Sequence, residues 1–255
     1  MRVFLVIAHP EPKQRSFCHR LYTKAQETLT LNKHEVMTLD LYESEFTKLP
    51  SLDDYVDSDP NVSLNEHAKK GLYKEEILRH QSCVEWCTHM MLFTPLHWLS
   101  PSAALMGWWE KVFGEGWAFA SNMTGRNGFM VGKKTMVVVT CGLEQSFYGK
   151  DKIHVSVEEL MYSLTFSAAL CGFTPLRTQA FFGLHTADSK RRTDMINAWG
   201  EHVANLESRE EIEFILTSEE KKKGGFMETG KITNHKILAQ LGDMELMKPK
   251  DSFVF

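Results

Sequence analysis

MRVFLVIAHPEPKQRSF, residues Met1 to Phe17, decides how this chain is read. Val3 to Ala8 is a short, almost wholly apolar run with β-branched members, the pattern of a strand buried on both faces at the centre of a parallel sheet. Polar and turn-forming residues follow at once: His9, Pro10, Glu11, Pro12, Lys13, Gln14, Arg15 and Ser16. Phe17, Leu21, Ala25 and Leu29 then recur every fourth residue, which predicts a helix with one apolar face. A strand that runs through a loop into a helix start is a ready anion site. Its free N–H groups point outward and the helix dipole favours negative charge. The loop has neither GxGxxG nor GxxxxGK(S/T) spacing. An anion here would be held by helix N–H groups, the Ser16 hydroxyl and the His9 ring. The plainer reading, Ser16 as a helix cap and His9 as a strand end, stays open at this point.

The same alternation continues outward. His34 to Leu41 reads as a second strand with Asp40 at its end. From Glu43 to Asn65 the pattern fades, and SLDDYVDSDPN, Ser51 to Asn61, reads as a surface excursion. His67 to Trp86 reads as one helix and Thr88 to Phe93 as the third strand. Thr94 to Leu99 is then a loop at the carboxyl end of a strand, where α/β sheets place their ligands. Ser100 and Pro101 suit a helix start. The helix Ser102 to Phe113 is apolar nearly all round, which implies burial, either in its own domain or against a second copy. Gly114 to Gly132 reads as a long connection beside a pocket. Lys134 to Thr140 is a β-branched fourth strand, Ser156 to Leu170 a helix, Phe173 to Ala180 a fifth strand, and Ala187 to Leu206 an amphipathic helix. Five strand–helix repeats predict an α/β, doubly wound, five-stranded parallel sheet of order 2-1-3-4-5, with a crevice between the first and third strands. Residues 1–206 form that domain. Residues 207–255 are a C-terminal extension expected to pack on the body, with a solvated loop at Lys221 to Gly225.

Composition bounds the partners. The chain has 255 residues, about 43% of them hydrophobic, with a formal net charge of -4. That charge gives no reason to expect nucleic acid or an anionic membrane surface. No apolar run approaches the roughly 20 residues needed to span a bilayer, and the first residues lack the long apolar region of a signal peptide. Five unevenly spaced cysteines make no disulfide framework, so a reduced, cytoplasmic protein is expected. Cys83, Cys87 and His89 lack a fourth ligand nearby in sequence and read as packing rather than a metal site.

Several short motifs recur in a familiar order: AHPEPKQRSF (Ala8 to Phe17), FTPLHWLSPSAALMGWWEKVF (Phe93 to Phe113), TCG (Thr140 to Gly142), YGKDKIH (Tyr148 to His154), ALCGF (Ala169 to Phe173) and HTADSKRR (His185 to Arg192). On these the chain resembles the flavin-dependent NAD(P)H:quinone oxidoreductases of flavodoxin-like fold, the DT-diaphorase family. The resemblance covers most of Met1 to Leu206. It implies non-covalent FAD in an obligate homodimer, each site built by both subunits. It also implies ping-pong, two-electron transfer of hydride from NADH or NADPH, through the flavin, to a small quinone-like acceptor.

By the same resemblance, His9, Ser16, Phe17 and the neighbouring Cys18 hold the FAD phosphates and nearby atoms. Pro95, Leu96, His97, Trp98 and Leu99 line the flavin ring, and Thr140, Cys141, Gly142 and Leu143 close its other side. Arg192, with Arg191 as the alternative, meets the adenylate end, and Glu110 reaches it across the subunit boundary. Tyr148 and His154 support catalysis. The chain departs from the family pattern at Cys18 (usually asparagine), His97 (usually tyrosine), Leu99 (usually aromatic), and Cys141 and Leu143 (within the usual TTGG). A leucine for a glycine at Leu143 implies a narrower acceptor pocket. These departures leave a second reading, a flavin-binding regulatory or electron-carrier protein with weak turnover.

Overall fold

The computed structural model describes residues 1–47, 49–212 and 214. Five strands form one parallel sheet: β1 (Arg2–Ile7), β2 (Glu35–Asp40), β3 (His89–Pro95), β4 (Lys134–Thr140) and β5 (Thr174–Phe181). Their order is β2-β1-β3-β4-β5, as the repeat pattern requires. In register, Val6 lies beside Leu39 on one side and Leu92 on the other, so β1 is the hub.

Period-two alternation splits β1 between two cores. Val3, Leu5 and Ile7 face α1 (Phe17–Leu31) and α7 (Ser189–Ala204), where Leu21, Leu29, Trp199 and Val203 are buried. Phe4 and Val6 face the opposite layer of α3 (Glu75–Trp86), α4 (Ala103–Val112) and α6 (Tyr162–Cys171). Both faces are covered, which explains why β1, β3 and β4 read as continuous apolar runs.

The structure corrects several sequence-based boundaries. The helix expected over His67 to Trp86 is two, α2 (Leu64–Lys70) and α3. Gly71, at φ 70, closes α2 in the left-handed conformation that a glycine adopts without penalty. The helix expected over Ser156 to Leu170 is likewise α5 (Val157–Leu160) and α6, divided at Met161. β3 runs on to Pro95, so Thr94 and Pro95 belong to the strand rather than the loop. The cap of α4 is Ser102, whose hydroxyl accepts from the Leu105 N–H, and not Ser100.

The stretch expected as a surface excursion is anchored. Phe46, Asp54 and Tyr55 are buried. Lys111 of α4 places its ammonium 2.7 Å from Asp54 Oδ1, 2.5 Å from the Thr47 carbonyl and 4.4 Å from the centre of the Phe46 ring. α4 is covered by its own chain: Leu105, Trp108 and Val112 are buried, and Trp109 stacks on Phe113 at 3.9 Å. Its apolar sequence is therefore no argument for a second copy. Cys83 and Cys87 are core side chains.

The extension begins by pairing with β5. The Arg177 N–H donates to the Glu210 carbonyl, and the Ile212 N–H to that of Pro175. Phe214 meets Tyr162 and Phe166 edge-on at 5.8 and 5.5 Å. Lys221 to Gly225 lie outside the described residues.

Candidate functional site

The carboxyl ends of β1, β3 and β4 are held level by backbone hydrogen bonds, from Ala8 N–H to the Phe93 carbonyl (3.0 Å) and from Leu96 N–H to that of Thr140 (2.9 Å). Three loops leave from this edge. The first leads into α1, where Ser16 is both cap and part of the buried floor: its Oγ accepts from the His19 N–H at 3.2 Å. The N–H groups of the first turn have no carbonyl within the helix to accept them. The guanidinium groups of Arg20 and Arg192 lie 5.6 and 5.9 Å from the centre of the Phe17 ring. Arg192 is fixed by donating to the Leu184 carbonyl (2.6 Å) and the Ala187 carbonyl (3.1 Å). Cys18 is buried against Thr140, and burial pushes its thiol well up.

His9 stands over this cradle. The Glu11 N–H donates to His9 Nδ1 at 3.2 Å, so Nδ1 is an acceptor and the proton of a neutral ring sits on Nε2. Burial, and next the nearby His19, push His9 down to about 4. His19 lies edge-on to it at 5.8 Å and is itself buried. His19 Nε2 is 3.0 Å from Asp40 Oδ2, while its Nδ1 has no hydrogen-bond partner among the described residues. Burial works to raise the Asp40 carboxyl, but hydrogen bonds from His19 and the Tyr42 N–H outweigh it and hold it low.

The second loop is a tight turn. His97 and Ser100 exchange backbone hydrogen bonds at 3.1 and 3.0 Å, with Trp98 at φ 51 and Leu99 at φ 59 between them. Two consecutive left-handed residues define a type I′ turn, which favours Asn-Gly. Trp98 and Leu99 carry a penalty of about 1–2 kcal/mol each in this conformation. The turn holds Trp98 fully exposed, at 100% of its free surface, and the His97 ring 6.3 Å from that of His9. Left-handed strain under an exposed aromatic is a recurrent mark of ligand contact.

The third loop follows β4. Thr140 and Cys141 are buried, Gly142 is half-buried and Leu143 is exposed at the rim. It is fastened to the loop before α7 by bonds from Gly183 N–H to the Leu143 carbonyl (2.7 Å) and from His185 N–H to that of Gly142 (3.1 Å). Arg191 grips Glu144 with two bonds of 2.7 Å, and Thr186 Oγ1 adds a third at 2.8 Å. The Arg191 and Thr186 bonds hold the Glu144 carboxyl down at about 2. Farther along, the Tyr148 and His154 rings lie 5.3 Å apart, tied by the bonds from Gly149 N–H to the His154 carbonyl and from His154 N–H to that of Phe147. Burial, and then the nearby Cys141, raise the Tyr148 phenol, so it stays a donor at neutral pH.

The sheet thus brings together His9, Ser16, Phe17, Cys18, Pro95 to Leu99, Thr140 to Leu143, Tyr148 and Arg192. Arg191 is committed to Glu144, so of the two arginines it is Arg192 that lies beside Phe17, together with Arg20. Glu110 is exposed in the last turn of α4, about 12 Å along the axis from Ser102, and one chain does not bring it to these loops. Sequence reasoning missed Arg20, His19 with Asp40, and His185. Arg20 could have been found three residues past Phe17, on the same helix face. The His19–Asp40 contact joins residues 21 apart, and no local pattern announces it.

A flavodoxin-like fold is defined by this topology, and residues 1–203 match that family; the chain belongs to it. Among named relatives, it is 28% identical over 219 residues to mouse (Mus musculus) ribosyldihydronicotinamide dehydrogenase [quinone], spanning 83% of this chain and 94% of the mouse protein. It is 27% identical over 226 residues to guinea pig (Cavia porcellus) NAD(P)H dehydrogenase [quinone] 1, spanning 85% and 81%. A candidate quinone reductase of Klebsiella pneumoniae superposes with a TM-score of 0.74 at 27% identity, covering 84% of this chain and 88% of its own. These are relatives of the kind that the motif resemblance implies.

Proposed function

We propose that this chain is a flavin-dependent oxidoreductase that passes two electrons from NADH or NADPH to a compact quinone-like acceptor. The observation that carries the reading is the strained Trp98–Leu99 turn. It presents a fully exposed aromatic on the same sheet edge as the anion cradle and the loop that carries the Tyr148–His154 pair. The names of the relatives agree with it.

The residues fit FAD. The first turn of α1, the buried His19 Nδ1 with no partner among the described residues, and Arg20 and Arg192, both near the Phe17 ring, suit a diphosphate. Pro95 to Leu99 and Thr140 to Leu143 would enclose the flat ring. Bound there, FAD supplies the two-electron redox chemistry, and the protein supplies binding and electrostatics. Tyr148 donates a hydrogen bond toward charge that builds in the crevice, where an unpaired anion would be costly. His154 stands beside it as a second polar group of the same loop. Leu143 narrows the acceptor side.

A second copy completes the site in this reading. Trp98, Leu99, Leu143, Ile153 and Val155 are exposed apolar side chains on the loops of this one edge, and Glu110 reaches the cofactor only from a partner. Acid release followed by chromatography should yield FAD, and the protein should oxidise NADH or NADPH with a simple quinone present. Recovery of FMN alone would remove the adenylate assignment. Bound flavin with no turnover on either donor would favour the binding or electron-carrier reading. Light scattering should give twice 29.3 kDa, and a monomer would exclude a partner's Glu110.

A further inference from the structure

The loop after β4 and the loop before α7 are joined far more closely than two surface connections need to be. Three backbone bonds cross between them: from Gly183 N–H to the Leu143 carbonyl (2.7 Å), from Leu184 N–H to that of Cys141 (3.2 Å) and from His185 N–H to that of Gly142 (3.1 Å). The Glu144 carboxylate adds a side-chain tie. Arg191 donates to both of its oxygens at 2.7 Å, and Thr186 Oγ1 donates to Oε1 at 2.8 Å. A Cβ built on Gly183 would fall within that carboxylate, so Glu144 fills the space that a side chain at position 183 would need. Gly183 also stands at φ 73, a conformation that costs a glycine little.

Arg191 is itself anchored. Its backbone N–H donates to Asp188 Oδ1 at 2.7 Å, and its Nη2 also reaches the Phe182 carbonyl at 3.4 Å. An exposed ion pair is ordinarily worth little, but a two-pronged arginine fork with a third hydrogen bond is the favourable case. The core beneath does not depend on it, since Val138, Val139, Cys141 and Phe181 are buried among the side chains of the two helix layers. What the clamp does fix is Leu143. The peptide carbonyls on both sides of this residue are bonded across the gap, and the next side chain is the one that Arg191 grips. Leu143 is nevertheless 40% exposed at the rim. A side chain that open, on a backbone that constrained, is held in place by the clamp rather than by packing.

We propose that the Glu144–Arg191 clamp sets the size limit for the acceptor: it holds the third loop against the loop before α7 and so keeps Leu143 at the rim of the crevice. This rests on the quinone-reductase reading above, in which Leu143 borders the acceptor. Glu144 is on this account a positioning residue that acts through Leu143. With the clamp cut, the bonds between the two loops open more readily, and Leu143 can swing aside. Flat acceptors of several rings then gain room. A single-ring acceptor gains little, because the closed rim already admits it.

The test uses the flavin-loaded full chain and two acceptors, benzoquinone and the three-ring phenanthrenequinone, at saturating donor. The ratio of kcat/KM for the large acceptor to that for the small one should rise about tenfold in Glu144→Ala, the scale on which a pocket discriminates by a few carbon atoms. Glu144→Gln keeps an acceptor for Thr186 and loses the charge, so the ratio should rise less. Leu143→Gly should raise the ratio by itself, and adding Glu144→Ala to it should add nothing, because the side chain that the clamp holds has gone. Amide hydrogen exchange gives a readout apart from turnover. The Gly183, Leu184 and His185 amides should exchange faster in Glu144→Ala, while amides of the central strands keep their protection and show that the fold is intact. If Glu144→Ala loses that wider protection, the same comparison is made on Glu144→Gln. Unchanged exchange at the three loop amides overturns the proposal, as does an unmoved ratio in an active enzyme or full additivity in the double variant. A parent that reduces neither quinone would sink the quinone-reductase reading and the size limit with it, whereas an active parent with unmoved ratios in its variants sinks the size limit alone.

Discussion

A Cβ built on Gly142 would fall within the imidazole of His185, closest to Nε2. The His185 ring can therefore lie over position 142 only because that position has no side chain. Gly142→Ala must swing the exposed His185 ring aside and disturb the bond from His185 N–H to the Gly142 carbonyl. We expect a fall in flavin affinity of a few-fold. The double variant Gly142→Ala/His185→Ala should recover most of it, because the clash has gone. A double-mutant cycle on flavin affinity reads this directly, and strict additivity of the two changes would refute the steric account.

Leu99 holds its left-handed conformation at a cost that a glycine would not bear. Leu99→Gly is expected to stabilise the fold by about 1 kcal/mol, or roughly 2–4 °C in Tm for a chain of this size. Turnover should fall at the same time, since an apolar wall is lost where strain and ligand contact coincide. Thermal melting beside steady-state rates will decide. A variant less stable than its parent would mean that the Leu99 side chain, rather than the turn, is what the position conserves in energy.

Three histidines are pushed down to about 4, chiefly by burial: His9, His80 and His89. In the unfolded chain each protonates near its ordinary value of 6.5. The folded state therefore binds fewer protons between those values, and stability falls as pH drops from about 6.5 to about 4. His80 is the cleanest case, since its Nδ1 accepts from Trp108 Nε1 at 3.3 Å inside the core. Its share of the loss is about 3 kcal/mol across that window. Denaturant unfolding at a series of pH values should show a flatter acid limb for His80→Gln than for the parent. Equal slopes would mean that His80 charges without cost.

What the sequence made legible follows from how local each cause is. The strands were readable because both faces of the sheet are covered and every β1 side chain after Arg2 is apolar. The order followed from strand–helix alternation. The cap at Ser16 and the apolar face of α1 were visible within one turn. Interactions that join distant residues were not visible. Lys111 holding Asp54 across 57 positions anchors a stretch that otherwise stays on the surface. Whether α4 is covered by its own chain or by a second copy is decided by Trp108 meeting Phe4 and by Phe113 meeting Phe173, contacts that no local pattern shows. Thr94 and Pro95 extend β3 because they pair with Val139 and Thr140 of β4, and the Thr94 hydroxyl accepts the Ser102 N–H where α4 begins. In the site, His9, Ser16 and Trp98 carried local signals, whereas Asp40 reads as a strand-end acid and proves to be a buried partner of His19.

Tyr148 and His154 are the sharpest test of the proposed chemistry. Their rings are 5.3 Å apart on a loop tied by the paired backbone bonds around Gly149 and His154. Tyr148 also packs at 5.4 Å on Phe182, so its ring has a structural role separable from its hydroxyl. Tyr148→Phe keeps that packing and removes only the donor. His154→Ala removes the imidazole and leaves the backbone tie in place. Losing a donor aimed at developing charge costs ~3 kcal/mol in the barrier, roughly a hundredfold in rate. We therefore expect His154→Ala to slow bleaching of bound flavin by saturating NADH or NADPH about a hundredfold, with flavin content nearly unchanged. Tyr148→Phe should do the same more mildly. Stopped-flow absorbance separates these effects from binding, because both the donor and the cofactor are saturating. Parental bleaching rates in both variants, with acceptor turnover intact, would reduce the pair to loop structure and move the catalytic assignment elsewhere on this edge.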